Sequence, residues 1–160
     1  MDIVFHPVAR VCNGYSYPDK PDTWYGTESI IELDRRWAPA LKGLTDFSHI
    51  LVLCYLHLVP KEDPPMLVHP RRDPNMPLIG FWSTRSPHRP NPISVSMARL
   101  LGIEDNILHV RNLDMFDGTP VIDIKPYLFP SDEPDQIAVA RWVYDLRKTP
   151  VRDSDESAPK

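Results

Sequence analysis

Ile50–Val59, ILVLCYLHLV, is the longest apolar run in this chain of 160 residues. A helix crossing a membrane needs about 20 such residues, and this run stops far short with a histidine inside it. It reads as the central buried strand of a compact fold, with His49 and His57 on one face if the strand is regular. Cys54, inside the run, reads as a small core residue.

Shorter β-prone stretches surround it. Ile3-Val4-Phe5 with Val8 and Val11 leads to the turn pair Asn13-Gly14, and Glu28–Leu33 (ESIIEL) makes a second strand. Leu78–Ser83, Ile93–Ile103, Asn106–Val110 and Val121–Ile124 read as four more. Tyr15–Tyr25 is polar, aromatic and broken by proline, hence a loop, and Pro39–Leu44 suits one helical turn. Lys61–Pro77 holds five prolines, which cannot donate to a sheet ladder, so it reads as a surface loop. Many short strands and few helices predict a mainly β protein: a small closed or partly open barrel with mostly antiparallel strands, or a sandwich. The expected domain is 1–135. Residues 136–160 form a closing segment, helix or strand over Gln136–Leu146, and a polar tail.

Composition narrows the function. The 19 prolines are about 12% of the chain, over twice the usual share, yet with only 6 glycines the total stays below the low-complexity range. The two cysteines, Cys12 and Cys54, are too far apart for a CxxC pair, no secretory signal is visible, and a reducing cytoplasm is the expected compartment. The six histidines show no HxH or HExxH spacing, so no metal site is expected. A net charge of −4 argues at first against a nucleic-acid partner. The charge is uneven, however: Arg71, Arg72, Arg85, Arg89 and Arg99 share their segment with the single acid Asp73. That basic stretch on an acidic body is where phosphate or carboxylate contacts are to be sought.

Two segments concentrate the chemistry. Gly80–Ile93, GFWSTRSPHRPNPI, alternates Pro87, Pro90 and Pro92 with polar groups. Proline fixes φ and extends its predecessor, so Arg85, His88, Arg89 and Asn91 are presented from a stiff backbone that loses little entropy on binding. A rigid turn with solvated arginines is the plainer alternative. Leu113–Tyr127, LDMFDGTPVIDIKPY, crowds Asp114, Asp117, Asp123, Lys125 and Tyr127 around an Asp-Gly turn. Regular alternation would put Val121 and Asp123 on one face and Ile122 and Ile124 on the other. A hairpin with a charged end is the alternative here.

Together these segments resemble the TsaA-like family, also called TrmO, whose patterns run close to G-x-F-A-T-R-S-P-x-R-P-N-P-I-G and L-D-x-x-D-G-T-P-V-x-D-I-K-P-Y. Gly43–His49 followed by Ile50–His57 matches a third element, and the resemblance spans roughly residues 3–130. It implies a β-barrel that dimerises, binds S-adenosylmethionine near the subunit interface, and methylates the exocyclic amine of threonylcarbamoyl-adenosine beside the anticodon of threonine tRNA. Carried residue by residue, it implies cofactor contacts at Arg85, Leu58, Val59, Met97, Leu113, Asp114, Met115 and Phe116. Arg85 would pair with the methionine carboxylate, Asp114 would accept from ribose hydroxyls or the adenine amine, and the apolar three would flank the adenine. Arg71, Arg72, Arg89 and His88 would remain for tRNA. The amine must lose a proton, for which Asp123 and Tyr127 are candidates, with Lys125 and Asn91 positioning them; an Asp123–Lys125 pair serving only as scaffold is the alternative.

The chain departs from the family pattern at Cys12-Asn13-Gly14, where a Ser-Pro is usual, and in the Tyr15–Thr27 loop, which lacks a Pro-Gly-Leu element. It also departs at Ser94, where the family has glycine, and in the span after the second motif, where bacterial members carry a further domain. Two alternatives to tRNA methylation stay open: a methyltransferase of this fold on another small substrate, and an S-adenosylmethionine-binding module without catalysis.

Overall fold

The computed structural model describes residues 3–60, 62–129, 131–132 and 136–148. Six strands close into an antiparallel barrel in the order β1 (Ala9–Cys12), β2 (Glu28–Leu33), β7 (Ile107–Arg111), β6 (Ile93–Glu104), β3 (His49–Tyr55), β8 (Pro120–Pro126), and β8 returns to pair with β1. β4 (Leu67–Val68) and β5 (Ile79–Gly80) form a separate two-stranded sheet. The helix α1 spans Arg141–Lys148, and the rest is short 3-10 turns and loops. The mainly β barrel expected from the sequence is what forms, and it is closed.

Alternation builds the core. Val11 from β1, Ile31 from β2, Ile50, Val52 and Cys54 from β3, Leu108 and Val110 from β7 and Val121 from β8 point inward and are shut from solvent. Burial pushes the Cys54 thiol up to about 12, so it is an inert core residue. Closure leaves none of these six strands with an unpaired edge along its full length.

Several expected elements form differently. β3 ends at Tyr55, and Leu56–Val59 turns, with the Val59 N–H donating to the Leu56 carbonyl (3.2 Å). His57 therefore lies in that turn and not on the strand face of His49. The expected strand Leu78–Ser83 is strand only at Ile79–Gly80; Phe81–Ser83 coils into a 3-10 turn because Phe81 buries inward. The expected loop Lys61–Pro77 contains β4, and the helical turn around Pro39 extends over Arg35–Leu41. Ile3-Val4-Phe5 is exposed and unpaired, with β1 starting at Ala9. Of Gln136–Leu146, only the part from Arg141 is helical, and the tail from Val151 lies outside the described residues.

The largest correction concerns β8. Cys54 pairs with Val121 but its neighbour Leu53 pairs with Asp123, so a bulge at Ile122 inserts one residue. A bulge swaps the faces beyond it. Ile124, opposite Val52, packs on the core like Val121, while Asp123 and Lys125 stand on the outer wall. The expected sharing of one face by Val121 and Asp123 does not occur.

Shortening a fully enclosed side chain in this barrel leaves a cavity that closed strands cannot collapse. Ile31→Ala is expected to cost about 2–5 kcal/mol, read as a lower urea midpoint at unchanged slope.

Candidate functional site

Strand register decides which loops meet. The C-terminal ends of β1, β3 and β7 and the N-terminal ends of β2, β6 and β8 lie at one end of the barrel. That rim collects the β1–β2 loop, the turn Leu56–Val59, the proline-rich segment entering β6, and the 112–119 loop entering β8. Both sequence motifs and the end of the central strand thus converge, joined in part by the Leu56 N–H to the Pro92 carbonyl (2.8 Å).

The 112–119 loop crosses the barrel end. It starts at Asn112, held at φ 66°, a region asparagine tolerates, with its side chain accepting from the Gly26 N–H at 2.6 Å. Leu113 (0% exposed) and Met115 (7%) turn down into the core. They plug the barrel, so their side chains do not flank a ligand as the resemblance implied; what they offer the rim is backbone. Asp114 and Phe116 stay above. Asp114 is an exposed residue, yet the protein close around its carboxyl raises its pKa by desolvation, with Lys20 acting in the opposite direction. Among the described residues no hydrogen-bond donor reaches that carboxyl.

A brace fixes the loop. Asp117 accepts from the backbone N–H groups of Asn13 (2.7 Å) and Gly14 (3.0 Å), which holds its pKa below the ordinary value. The Asn13 amide donates to Ser29 Oγ (3.0 Å) and to the Met115 carbonyl (2.9 Å). Backbone bonds run from Asp117 to Tyr15 and from Gly118 to Val11, both 2.8 Å. Tyr15, Trp24 and Phe116 then meet edge to face at 5.6 and 5.7 Å between ring centroids. The segment Cys12-Asn13-Gly14, a departure from the family pattern, is thus what ties the second motif down. No periodicity or short spacing marks this brace, since its partners are about a hundred positions apart.

In the first motif, Arg89 stacks near Phe81 (5.9 Å to the ring centroid), and its Nη1 donates to the carbonyls of Phe81 (3.3 Å), Thr84 (2.9 Å) and Ser86 (3.4 Å). It is the staple of its own loop through Nη1, a task its expected place among the tRNA-facing groups did not include. Arg85 and Asn91 are exposed, and His88 is half-buried. Arg85 makes no ion pair among the described residues. Leu58 is exposed and Val59 half-buried in the rim turn; Met97 stands outside the barrel opposite Leu51. Arg71 and Arg72 are exposed beyond β4, and Arg71 donates to the Leu146 carbonyl of α1 at 3.2 Å.

The residues expected to handle the proton do not gather at the rim. Asp123 pairs with Lys125 Nζ at 2.7 Å on the outer wall of β8. Tyr127 is further along, its N–H donating to the His49 carbonyl at the opposite barrel end. Within one chain, only Asn91 of that group is at the rim. No cluster of three or more metal-binding side chains occurs among the described residues.

A closed antiparallel barrel whose two sequence motifs meet at one plugged, braced rim defines a small β-barrel domain. Residues 11–133 match the model of the tRNA-methyltransferase O N-terminal domain, and the chain belongs to that family. A "Probable S-adenosyl-L-methionine-binding protein" of Methanothermobacter thermautotrophicus is 43% identical over 79% of this chain and 91% of its own length. The tRNA (adenine(37)-N6)-methyltransferase of Mus musculus is 40% identical over 68% of this chain but 25% of its own length. The crystal structure of TrmO from Pseudomonas aeruginosa superposes with a TM-score of 0.67 at 26% identity, over 86% of this chain and 62% of that one. The chain therefore spans only a part of several relatives, a quarter of the mouse enzyme.

The brace has an acid signature. Asp117 has a folded pKa below its ordinary 3.8, so its contribution is complete above that value and is lost as pH falls through the folded pKa. Thermal midpoints of the unaltered chain should drop more steeply below about pH 4 than those of Asp117→Asn, which keeps an acceptor without the charge.

Proposed function

We propose that this chain is an S-adenosylmethionine-dependent methyltransferase acting on the exocyclic amine of threonylcarbamoyl-adenosine beside the tRNA anticodon, as a cytoplasmic homodimer. The observation that carries the reading is the meeting of both family motifs and the β3 turn at one barrel end. The fit of the cofactor rests on Asp114, an exposed carboxylate held above the barrel end with acceptor positions open, which suits ribose hydroxyls or the adenine amine. S-adenosylmethionine, when bound, supplies an electrophilic methyl group on a sulfonium.

The chain's own residues bind and orient. Arg85 holds a carboxylate, Phe116 and the backbone of 113–116 border the adenine, and Leu58, Val59 and Met97 supply apolar contact. Asn91 positions the target amine at the rim. His88 and the exposed arginines Arg71 and Arg72 face phosphate. Among the described residues no helix is long and apolar enough to cross a membrane.

A second copy has a suitable face. Outside the barrel, Leu51 pairs with Met97 and Leu53 with Val95, and Met97 and Val95 are each 55% exposed. Such a flat apolar wall favours association. The archaeal relative, which this chain covers almost completely and which is described by binding alone, favours a second reading: a cofactor-binding module without catalysis.

Incubation with labelled S-adenosylmethionine and tRNA from cells lacking the endogenous methylase should put label into threonine tRNA, and sedimentation should give twice the chain mass. Asp114→Ala should weaken cofactor binding by roughly 10- to 100-fold, the worth of hydrogen bonds to a charged group. Cofactor binding by calorimetry with no label in any tRNA would select the second reading.

A further inference from the structure

Trp82 is 75% exposed, although its neighbour Phe81 is buried at 3%. The two rings lie 4.6 Å apart between centroids at 54°, so the indole rests on an anchored phenyl ring and shows its remaining surface to solvent. The 3-10 turn that carries it is tightly held. Thr84 Oγ1 donates to the Phe81 carbonyl (2.7 Å), the Ser86 N–H donates to Thr84 Oγ1 (3.1 Å), and Arg89 binds the Phe81 carbonyl of the turn and the Thr84 and Ser86 carbonyls just beyond it. The indole is presented by a rigid mount, which removes most of the ordering cost of using it.

The other tryptophans are engaged differently. Trp24 meets Tyr15 and Phe116, Trp37 lies beneath the Arg36 guanidinium at 5.0 Å, and Trp142 is half-buried in α1. Three positions after Trp82 stands Arg85, exposed and without an ion pair among the described residues. The segment from Arg71 to Arg99 carries a single acid. An open aromatic face in an arginine-rich segment, on the loop that leads into the rim, matches the chemistry of an unstacked nucleobase in a phosphate-bearing strand. Single-stranded RNA is recognised mainly by such stacking.

We propose that Trp82 is a base-stacking platform for a nucleotide neighbouring the target adenine in a single-stranded RNA loop. This deepens, and rests on, the tRNA reading above. A second copy of the chain is the competing occupant, for which the apolar residues outside β3 and β6 offer a different set of side chains.

The test is filter binding of the full chain to threonine tRNA at low salt, with S-adenosylmethionine affinity and sedimentation measured in parallel. Trp82→Ala should weaken tRNA binding about 5- to 100-fold, the range for one lost base stack, while Trp82→Phe stays within about 3-fold. Cofactor affinity and oligomeric state should not change in either. Equal tRNA binding by Trp82→Ala overturns the stacking site, as does conversion of a dimer to monomer, which would make the indole a protein contact. If the unaltered chain shows no tRNA affinity, the tRNA reading fails first and the stacking site with it.

Discussion

Closure of the barrel by β8 is the constraint from which the rest of the structure follows. β7 lies between β2 and β6, whereas β8 must fit between β3 and β1. The chain leaving β7 therefore has to cross the barrel end to reach its last strand. An open barrel end would wet the core, and the crossing segment prevents that by turning Leu113 and Met115 inward. The same crossing lifts Asp114 and Phe116 to the outside, where a ligand can meet them. A topological requirement and a binding surface are in this way the same eight residues.

A loop that crosses a barrel needs a tie, and the tie is polar. Asp117 takes two backbone N–H groups of the β1–β2 loop, and Asn13 returns bonds to Ser29 and Met115. Charge-assisted acceptors of this kind are among the stronger hydrogen bonds available at a surface. With the loops locked, the aromatic contacts of Tyr15, Trp24 and Phe116 add packing without further ordering cost. On the neighbouring side, Arg89 performs the equivalent task for the proline-rich turn. The prolines stiffen the backbone there and Arg89 gathers its carbonyls, so Arg85 and Asn91 are held in place.

Local patterns carried much of this in the sequence. Glu28–Leu33 alternates and forms the expected strand, Cys54 is core, and the two motif segments, linked in the sequence only by the family resemblance, meet at one barrel end. What was not legible depends on contacts between distant positions. The bulge at Ile122 leaves no trace in the alternation of VIDIK, because the extra residue is itself apolar and suits either face. That is why Asp123 and Lys125 stand on the outer wall; Tyr127 lies at the far end because β8 runs the length of the barrel away from the rim. Arg89 looked like the other arginines, since nothing local shows that three carbonyls surround it. Asn13-Gly14 read as a turn and as a departure from the family pattern, while its role as a brace arises only once residue 117 is brought against it.

The central claim is that the braced rim is the cofactor site. Hydrogen–deuterium exchange with and without S-adenosylmethionine tests it most directly, because protection reports local opening segment by segment. The account predicts added protection in 13–27, 84–92 and 112–119, with the opposite end around 44–48 and Tyr127 unchanged. Protection centred on that opposite end, with the rim unaffected, would contradict it.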